Sequence, residues 1–357
     1  MSGGVDSSVA ATHLAGKDYD LSAVYMRNWD SADETGTDNN CAWKKDWEDV
    51  QKICRILDLP VELIDLSKEY WLRVFAPALQ QWENGMTPNP DIWCNREIKF
   101  GALLDRLRDQ YPGTYLATGH YARIGWSFDD RPKLMRPKDR HKDQTYYLSS
   151  LSEASLQKAL FPLSNLTKGE VRDLAKRYSL PTASREESMG LCFVGERRRF
   201  HDFLNQYLTP KPGKIVNEDG EVIGEHQGLW RYTIGQGAKL RGMPTRMYVS
   251  KKDHEKNEVM VVPSSNHPSL LFDSIISSDW HWIWHDHHIS QLDSEKGFQA
   301  TVKFRHMMSA VPCRIKREQG NIVIVFDEQQ KAVSPGQVAV VWKGDWCLGC
   351  GTISQAL

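Results

Sequence analysis

Seven residues near the start of the chain constrain it more than any other stretch. They are Ser2, Gly3, Gly4, Val5, Asp6, Ser7 and Ser8. Two adjacent glycines allow a tight turn in which backbone N–H groups approach a ligand closely. The next segment, VAATHLAG, has helical spacing, and a helix start offers free N–H donors and a positive dipole end. The stretch therefore predicts a loop suited to phosphate.

The residue types in this loop leave two interpretations open. Asp6 is a candidate ligand for a magnesium ion held against the phosphate. The run is not a Walker A loop, because the Gly-Lys-Ser/Thr ending is missing. On spacing alone, an ordinary glycine turn capped by a serine explains the residues equally well.

Taken whole, the run SGGVDSS resembles the pyrophosphate-binding loop of the ATP pyrophosphatase families. Those enzymes split ATP between the α and β phosphates and place AMP on an oxygen. The resemblance implies adenylation chemistry but leaves the acceptor open. A loop of this kind needs a preceding strand, and none stands before Ser2, so we expect either a truncated start or a weakly anchored loop.

Composition limits the classes of protein that need to be considered. A chain of 357 residues is long enough for two or three domains. The formal net charge is -1, so any nucleic-acid surface must be a local patch, and residues 131–142 carry six Lys or Arg against one acid. Seven cysteines without a regular framework indicate a reducing compartment. No apolar run is long enough to span a bilayer, and the start has no signal-peptide character.

Hydrophobic periodicity predicts alternating strands and helices in the first half of the chain. Strands are expected at LSAVYM, VELIDL and TYLATGHYARI, with amphipathic helices between them and a further helix from about Asn95. This alternation is typical of a doubly wound α/β domain, expected over residues 1–206. Short strands with glycine turns predict a small central domain at 207–266 and a C-terminal β-barrel at 267–357.

Two cysteines are candidates for covalent chemistry. Cys94 follows Asn89, Pro90 and Asp91 at an expected helix start, where the dipole favours a thiolate and Asp91 is close enough to act as a base. Cys192 precedes a basic run, GERRRF, which would lower the pKa of its thiol. Taken alone, each cysteine is explained as well or better by a buried, inert residue.

Two other clusters favour structural interpretations. Cys347 and Cys350 form a lone CxxC without a second pair. The histidines of HWIWHDHH suggest adventitious metal binding at most, and a solvated loop explains them better.

Seven motifs together resemble those of tRNA-specific 2-thiouridylases, in order and over essentially the whole chain. The motifs are SGGVDSS, NPDIWCNREIKF, ATGHYARI, KDQTYYLSSL, ESMGLCFVGERRRF, GEHQGLWRYTIGQG and PGQVAVVWKGDWCLG. FRHMMSAVPC and ESMGLCF look most like the mitochondrial branch, which implies the mitochondrial matrix, or the cytoplasm if the protein is bacterial. The resemblance implies a pyrophosphatase domain, a small central domain and a C-terminal β-barrel.

The resemblance also implies roles for individual residues. Cys94 is similar to the family's nucleophile, Cys192 to its persulfide carrier and Asp91 to its acid/base. The loop residues with Met26 and Gly119 match nucleotide contacts. The positions that match tRNA contacts are Asn89, Pro90, Asp91, His120, Lys142, Asp143, Gln144, Arg305, His306 and Gln337. Two residues depart from the family pattern: Gly237 stands where an arginine is usual, and Cys350 replaces a small residue.

The implied reaction converts the 2-oxygen of a wobble uridine to sulfur, with ATP and Mg²⁺ as cofactors and a persulfide from a donor protein such as a cysteine desulfurase or a relay. The order of the Cys94 and Cys192 steps stays open. Three alternatives remain: an amide-forming synthetase with the same loop, a non-catalytic RNA-binding protein, and a thiolase that uses an iron–sulfur cluster on Cys94 and Cys192, with Asp91 as a candidate third ligand.

Overall fold

The structure is a computed structural model that describes residues 1–29, 42–186, 200–286 and 289–357. The chain divides into two compact units. The first comprises residues 1–75, 90–196 and 345–347, and the second comprises 76–89, 197–344 and 348–357, as far as these ranges are described.

The first unit alternates short strands and helices. Its helices are α1 (Val5–Ala15), α2 (Ala42–Ile56), α3 (Ser67–Tyr70), which continues as a π-helical turn at Trp71–Phe75, α4 (Pro90–Trp93), which continues as the π-helical segment Cys94–Leu103, α5 (Leu104–Gln110), α6 (Thr145–Leu148), α7 (Glu153–Leu156) and α8 (Lys168–Arg177). Its strands are β1 (Ala23–Arg27), β2 (Val61–Asp65), β3 (Leu116–Ala117), β4 (Arg123–Trp126), β5 (Pro132–Met135) and β6 (Ala159–Leu160).

Parallel pairing in the first unit agrees with the expected α/β class. Strand β1 pairs with β2 in register from Ala23 opposite Val61, and β3 pairs with β6. The amphipathic face predicted for α2 is buried, with Val50, Ile53 and Cys54 at most 1% exposed. Helix α8 begins with a capping box between Thr167 and Glu170, which fixes its first turn.

The hydrophobic core of the first unit lies directly under the glycine loop. One cluster joins α1 to α8 and consists of Val5, Val9, Ala10, Ile53, Tyr121, Leu163, Val171, Ala175 and Leu180. Met1 packs against this cluster and against a second one around Tyr25. The Met1 nitrogen donates to the carbonyl of Val24, so the residue that leads into the loop is held beside β1.

Two expectations for the first unit were wrong in detail. The single strand expected over TYLATGHYARI is two strands, because the chain leaves β3 after Ala117 and re-enters as β4 at Arg123, which pairs antiparallel with β5. The helix expected from about Asn95 begins at Pro90. Proline suits the first helical position, since its fixed φ is helical and its missing N–H would have had no partner there.

The second unit is mostly antiparallel sheet. Its helices are α9 (Ala76–Glu83) and α10 (Phe200–Leu204), and its strands are β7 (Gly213–Val216), β8 (Val222–His226), β9 (Tyr248–Asp253), β10 (Glu258–Val262), β11 (Leu271–Ser277), β12 (His281–Trp282), β13 (Phe298–Lys303), β14 (Val311–Glu318), β15 (Asn321–Lys331), β16 (Val338–Lys343), β17 (Trp346–Thr352, whose first two residues belong to the first unit) and β18 (Gln355–Ala356). Short 3-10 turns cover Leu229–Arg231, Pro268–Leu270 and Ser290–Asp293.

These strands form two sheets. A four-stranded sheet has the order β8-β7-β10-β9, and a larger one runs β18-β11-β15-β14-β13-β16-β17 with β12 paired to β17. The four-stranded sheet has its own core around Ile215 and Val259, and the larger sheet buries Ile324 and Trp342 completely. Two separate sheets agree with the expected small central domain followed by a second β domain.

Candidate active site

The glycine loop is a tight turn around the carbonyl of Gly4. Ser7 Oγ and Ser8 Oγ donate to that oxygen at 3.1 and 2.8 Å, and Ser2 N donates to Ser7 Oγ at 3.2 Å. Gly4 is the N-cap of α1 and has no side chain to cap it. The first N–H groups of α1 are therefore available to an anion, as the sequence predicted.

Position 3 of the loop can be occupied only by glycine. Its φ is +72°, in the left-handed region, and a Cβ there would lie 2.7 Å from the Asp46 carbonyl oxygen. Arg185 braces the same turn: its guanidinium donates to the Gly3 carbonyl at 2.8 Å, to Asp49 at 3.2 Å and to Asp46. Sequence reasoning missed Arg185, since its partners in the loop and in α2 are more than a hundred residues away.

Asp6 is held by two side chains from distant parts of the chain. Lys168 Nζ donates to both carboxylate oxygens at 2.7 and 2.8 Å, and Tyr121 OH donates to one of them at 2.9 Å. Lys168 is the first residue of α8, and Asp139 fixes its backbone by accepting from its N–H at 2.9 Å. Sequence reasoning missed Lys168 too; the TKGE capping box was the available signal.

The expected magnesium ligand does not fit its environment in this structure. Magnesium prefers several oxygen ligands in octahedral geometry. Both oxygens of Asp6 already accept from the Lys168 ammonium, which places a fixed positive charge beside the loop. The Asp6 carboxylate is therefore engaged by a cation of the chain itself.

Gly119 lies directly against the loop. A Cβ at this position would be 2.8 Å from Ser7 N and 2.9 Å from the Asp6 carbonyl carbon, both backbone atoms that cannot move aside easily. Gly119 follows the carboxyl end of β3, and the half-buried Met26 lies near the carboxyl end of β1. Because ligands of open α/β sheets gather at such ends, both positions suit the expected nucleotide contacts.

Substituting Gly119 should disturb the loop. In the pyrophosphate-releasing reaction that the loop's resemblance implies, we expect Gly119→Ala to lower the rate on the order of 10²-fold, because a small displacement of reacting groups has that effect. Gly16→Ala is the matched control, since Gly16 ends α1 with an ordinary φ and a Cβ there meets nothing within 4 Å. Equal rates for the two variants in a pyrophosphate-release assay would contradict the packing argument.

Cys94 is buried beside the end of β1. It is 2% exposed, and Asn28 Nδ2, just after β1, lies 3.7 Å from its sulfur. Because the helix begins at Pro90, Cys94 lies one turn inside it, where the dipole acts more weakly than at the expected helix start. Asn95 fixes the same turn by donating to the carbonyls of Asp91 and Tyr147 at 3.0 and 3.2 Å.

Burial shifts the ionisation of the groups around this helix. It raises the pKa of Asp91 to about 6, although the Lys99 charge opposes the shift. It raises the pKa of Tyr147 to about 12, helped by the Asp91 charge. It lowers the pKa of His120 well below the ordinary value, and Lys99 adds to that effect, so His120 is a neutral imidazole at physiological pH. Asp91, His120 and Lys99 thus form one electrostatic cluster.

The raised pKa of Asp91 predicts a measurable stability effect. A carboxyl whose folded pKa lies above its unfolded value favours folding below the unfolded pKa, and this contribution is lost as pH rises through about 6. At pH 7 Asp91→Asn should therefore be more stable than the native chain, by up to about 3 kcal/mol, with the difference nearly absent at about pH 3. Urea unfolding of both proteins at the two pH values measures this, and a constant difference would contradict it.

The residues expected to contact tRNA in the first unit have partners within the protein. Asp143 is 3% exposed and accepts from Thr145 N and Oγ1 at 3.0 and 2.6 Å. Gln144 accepts from Tyr121 N at 2.8 Å, which fixes the backbone next to His120. The Lys142 backbone donates to Asp139 at 3.2 Å.

The basic segment 131–142 is partly neutralised by carboxylates of its own unit. Four of its cations form ion pairs, Arg131 with Glu153, Arg136 with Asp143, Lys138 with Glu170 and Arg140 with Asp345. The positive potential of this segment is therefore smaller than its sequence suggests.

In the second unit the expected tRNA residues lie at two places. Arg305 and His306 follow β13; Arg305 is exposed and donates to the Lys331 carbonyl at 2.7 Å. Gln337 donates to the Thr87 carbonyl at 2.7 Å, and the half-buried Asn89 is two residues further along.

One departure from the family pattern, Gly237, has a local explanation. A side chain at Gly237 would meet the Arg246 guanidinium at 2.8 Å, so a guanidinium from elsewhere in the chain occupies the neighbourhood of this position. Cys347 and Cys350 are both buried in β17, which supports their structural interpretation. Cys192 and the histidines His287 and His288 lie outside the described residues.

Comparison with known proteins identifies the family. Three family models match in order: the tRNA methyl transferase HUP domain at residues 1–196, the tRNA methyl transferase PRC-barrel domain at 201–263 and the aminomethyltransferase beta-barrel domain at 272–353. This confirms the expected order of an α/β domain, a small central domain and a β-barrel. The boundaries at 206 and 266 stay a prediction.

Curated relatives match along the whole chain. Proteins named tRNA-specific 2-thiouridylase MnmA are 43% identical in Alkaliphilus oremlandii, 41% in Aeromonas hydrophila and 40% in Staphylococcus aureus. The matches cover 99–100% of this chain and 94–96% of the relatives. A solved NMN synthetase from Francisella tularensis matches 53% of this chain at 19% identity with a TM-score of 0.32, too low to bear on the fold.

The comparisons also bear on the expected location. These relatives are bacterial, so they do not support the mitochondrial branch that the motifs suggested. Within the described residues, every helix is too short or too polar to cross a membrane. Whole-length identity of 40% and more, together with the matching domain order, shows that the chain belongs to the tRNA-specific 2-thiouridylase family.

Proposed function

We propose that this protein is an ATP-dependent tRNA-uridine 2-sulfurtransferase that converts the 2-oxygen of the wobble uridine to sulfur. The observation that carries the proposal is the whole-length match to 2-thiouridylases. It is supported by the first unit, where Met1, just before the loop, bonds to β1 and Cys94 lies beside Asn28, just after the same strand. An amide-forming synthetase would need the loop but no reactive thiol.

The first step activates the uridine. A carbonyl oxygen leaves poorly, so the 2-oxygen first attacks the α-phosphorus of ATP and pyrophosphate departs. The first N–H groups of α1 and the Lys168 ammonium are placed to hold the phosphates. Gly119 lets its own backbone pack directly on the Asp6–Ser7 backbone, which fixes the loop beside the phosphates. ATP supplies the AMP group that makes the oxygen a leaving group.

The positive charge of Lys99 in the Asp91 cluster favours this adenylation step. Lys99 is half-buried, and among the described residues it has no hydrogen-bond or ion-pair partner. Its charge acts on both Asp91 and His120. A half-buried ammonium without a partner stabilises a nearby phosphate, because the attraction between opposite charges is stronger where water is partly excluded. Lys99 is therefore a candidate contact of the bound AMP group.

The second step transfers sulfur, and two orders satisfy the chemistry. In one, the terminal sulfur of a Cys192 persulfide attacks the activated carbon, AMP leaves with the former 2-oxygen, and the Cys94 thiolate cleaves the remaining S–S bond. In the other, Cys94 first attacks the persulfide and releases hydrosulfide, which attacks the carbon. Both orders end with a Cys94–Cys192 disulfide that a reductant must reopen.

A direct assay tests the proposal. The protein is incubated with tRNA, ATP and a protein persulfide donor, and digested nucleosides are analysed by mass spectrometry. We expect 2-thiouridine that depends on both ATP and the donor. Absence of 2-thiouridine would contradict the proposal, and product that requires protein-bound iron after anaerobic purification would favour the iron–sulfur alternative.

A further inference from the structure

Thr87 is held by backbone contacts inside the second unit. Its N–H donates to the Pro335 carbonyl at 3.1 Å, and its carbonyl accepts from Gln337 Nε2 at 2.7 Å. Gly336, between these two residues, has a φ of +89°, and a Cβ there would lie 2.6 Å from Thr87 N. The segments 86–88 and 335–337 thus lie in direct contact, with no room for a side chain between them.

Lys252 makes a third contact with the same residue. Its ammonium donates to the Tyr232 carbonyl at 2.9 Å and to Thr87 Oγ1 at 3.4 Å. Burial lowers the pKa of Lys252 to about 8. Among the described residues no carboxylate pairs with it, so the ammonium depends on these oxygens. Lys252 is half-buried, and an ammonium with only neutral partners contributes little to folding, which points to a role other than stability.

The restraint on Thr87 extends to Asn89, because the segment between and around them is stiff. Pro88 and Pro90 are both buried and flank Asn89, and proline fixes φ near −65°. Asn89 is the first of the residues expected to meet the target base. Fixing Thr87 therefore restricts where the Asn89 side chain can lie.

We propose that Lys252 and Gln337 are positioning residues that hold Thr87 and thereby fix Asn89 for the target uridine. The inference rests on the proposed function and deepens it. Gln337 then acts through the Thr87 carbonyl, and Lys252 becomes a further residue required for substrate placement.

Kinetics on the full chain test this. Lys252→Met and Gln337→Met keep the side-chain length and remove the donor. Each should raise the KM for tRNA roughly tenfold while the KM for ATP stays within about twofold. Because both act on Thr87, the double variant should lose less than the product of the single effects. Lys251→Met, on the exposed neighbouring residue, is the control, and Lys252→Arg should recover part of the loss.

Hydrogen exchange gives a readout independent of activity. The amides of Thr87 and Asn89 should exchange faster in both donor-removed variants and at the native rate in Lys251→Met, with melting temperatures nearly unchanged. A Gln337→Met variant that loses tRNA affinity without faster exchange would show a direct tRNA contact and overturn the inference. Unchanged exchange and kinetics would also overturn it. A native chain that makes no 2-thiouridine would overturn the proposed function, and with it this extension.

Discussion

Cys192→Ser and Cys94→Ser should each lower 2-thiouridine formation by roughly 10³-fold or more, since removing a covalent nucleophile removes the step it performs. Both variants should still release pyrophosphate from ATP in the presence of tRNA. The reason is that activation needs the loop and a placed uridine, whereas sulfur transfer needs thiols. Labelled-ATP turnover and nucleoside mass spectrometry measure the two steps separately.

Persulfide tagging distinguishes the two cysteines. Cys94→Ser should still accept a persulfide on Cys192 from the donor, and Cys192→Ser should accept none. Cys347→Ala is the matched control, because this thiol is buried in β17, and its product yield should stay within a few-fold of native. Near-normal thiolation by Cys192→Ser would contradict the persulfide role.

Asp6→Ala and Lys168→Met should each lower pyrophosphate release by roughly 10²- to 10³-fold, the usual effect of losing one preorganised charge at a reacting group. The structure supports this because Lys168 Nζ contacts both Asp6 oxygens beside the loop. Persulfide loading of Cys192 should be unaffected. Lys176→Met, on an exposed residue of α8, is the control and should keep the native rate.

Variants of the Asp6–Lys168 pair also distinguish its contribution to stability from its contribution to catalysis. Asp6→Ala leaves the Lys168 ammonium, whose side chain is 13% exposed, without its carboxylate, so melting temperature should fall with activity. The double variant Asp6→Asn with Lys168→Met removes both charges and should recover much of the stability but none of the pyrophosphate release. Recovery of both would mean that the pair serves folding only, and a native rate in Asp6→Ala would contradict the loop assignment.

The amino-acid sequence alone determined the local elements and the family. The glycine loop before α1, the alternation of strands and helices, and the change to short strands after about residue 206 are visible because glycine freedom and hydrophobic period act over a few residues. Motif order then identified the 2-thiouridylase resemblance that the relatives confirm.

Tertiary structure alone decided what surrounds the loop. Lys168 and Arg185 reach it from more than 160 residues away, and Gly119, in the break of the expected strand, packs its backbone on Ser7. Burial of Cys94, the raised pKa of Asp91 and the Lys252 contact with Thr87 likewise depend on segments that only folding brings together. Such contacts produce no periodic pattern or motif in the sequence, because desolvation and long-range packing depend on residues that are neighbours in space and not along the chain.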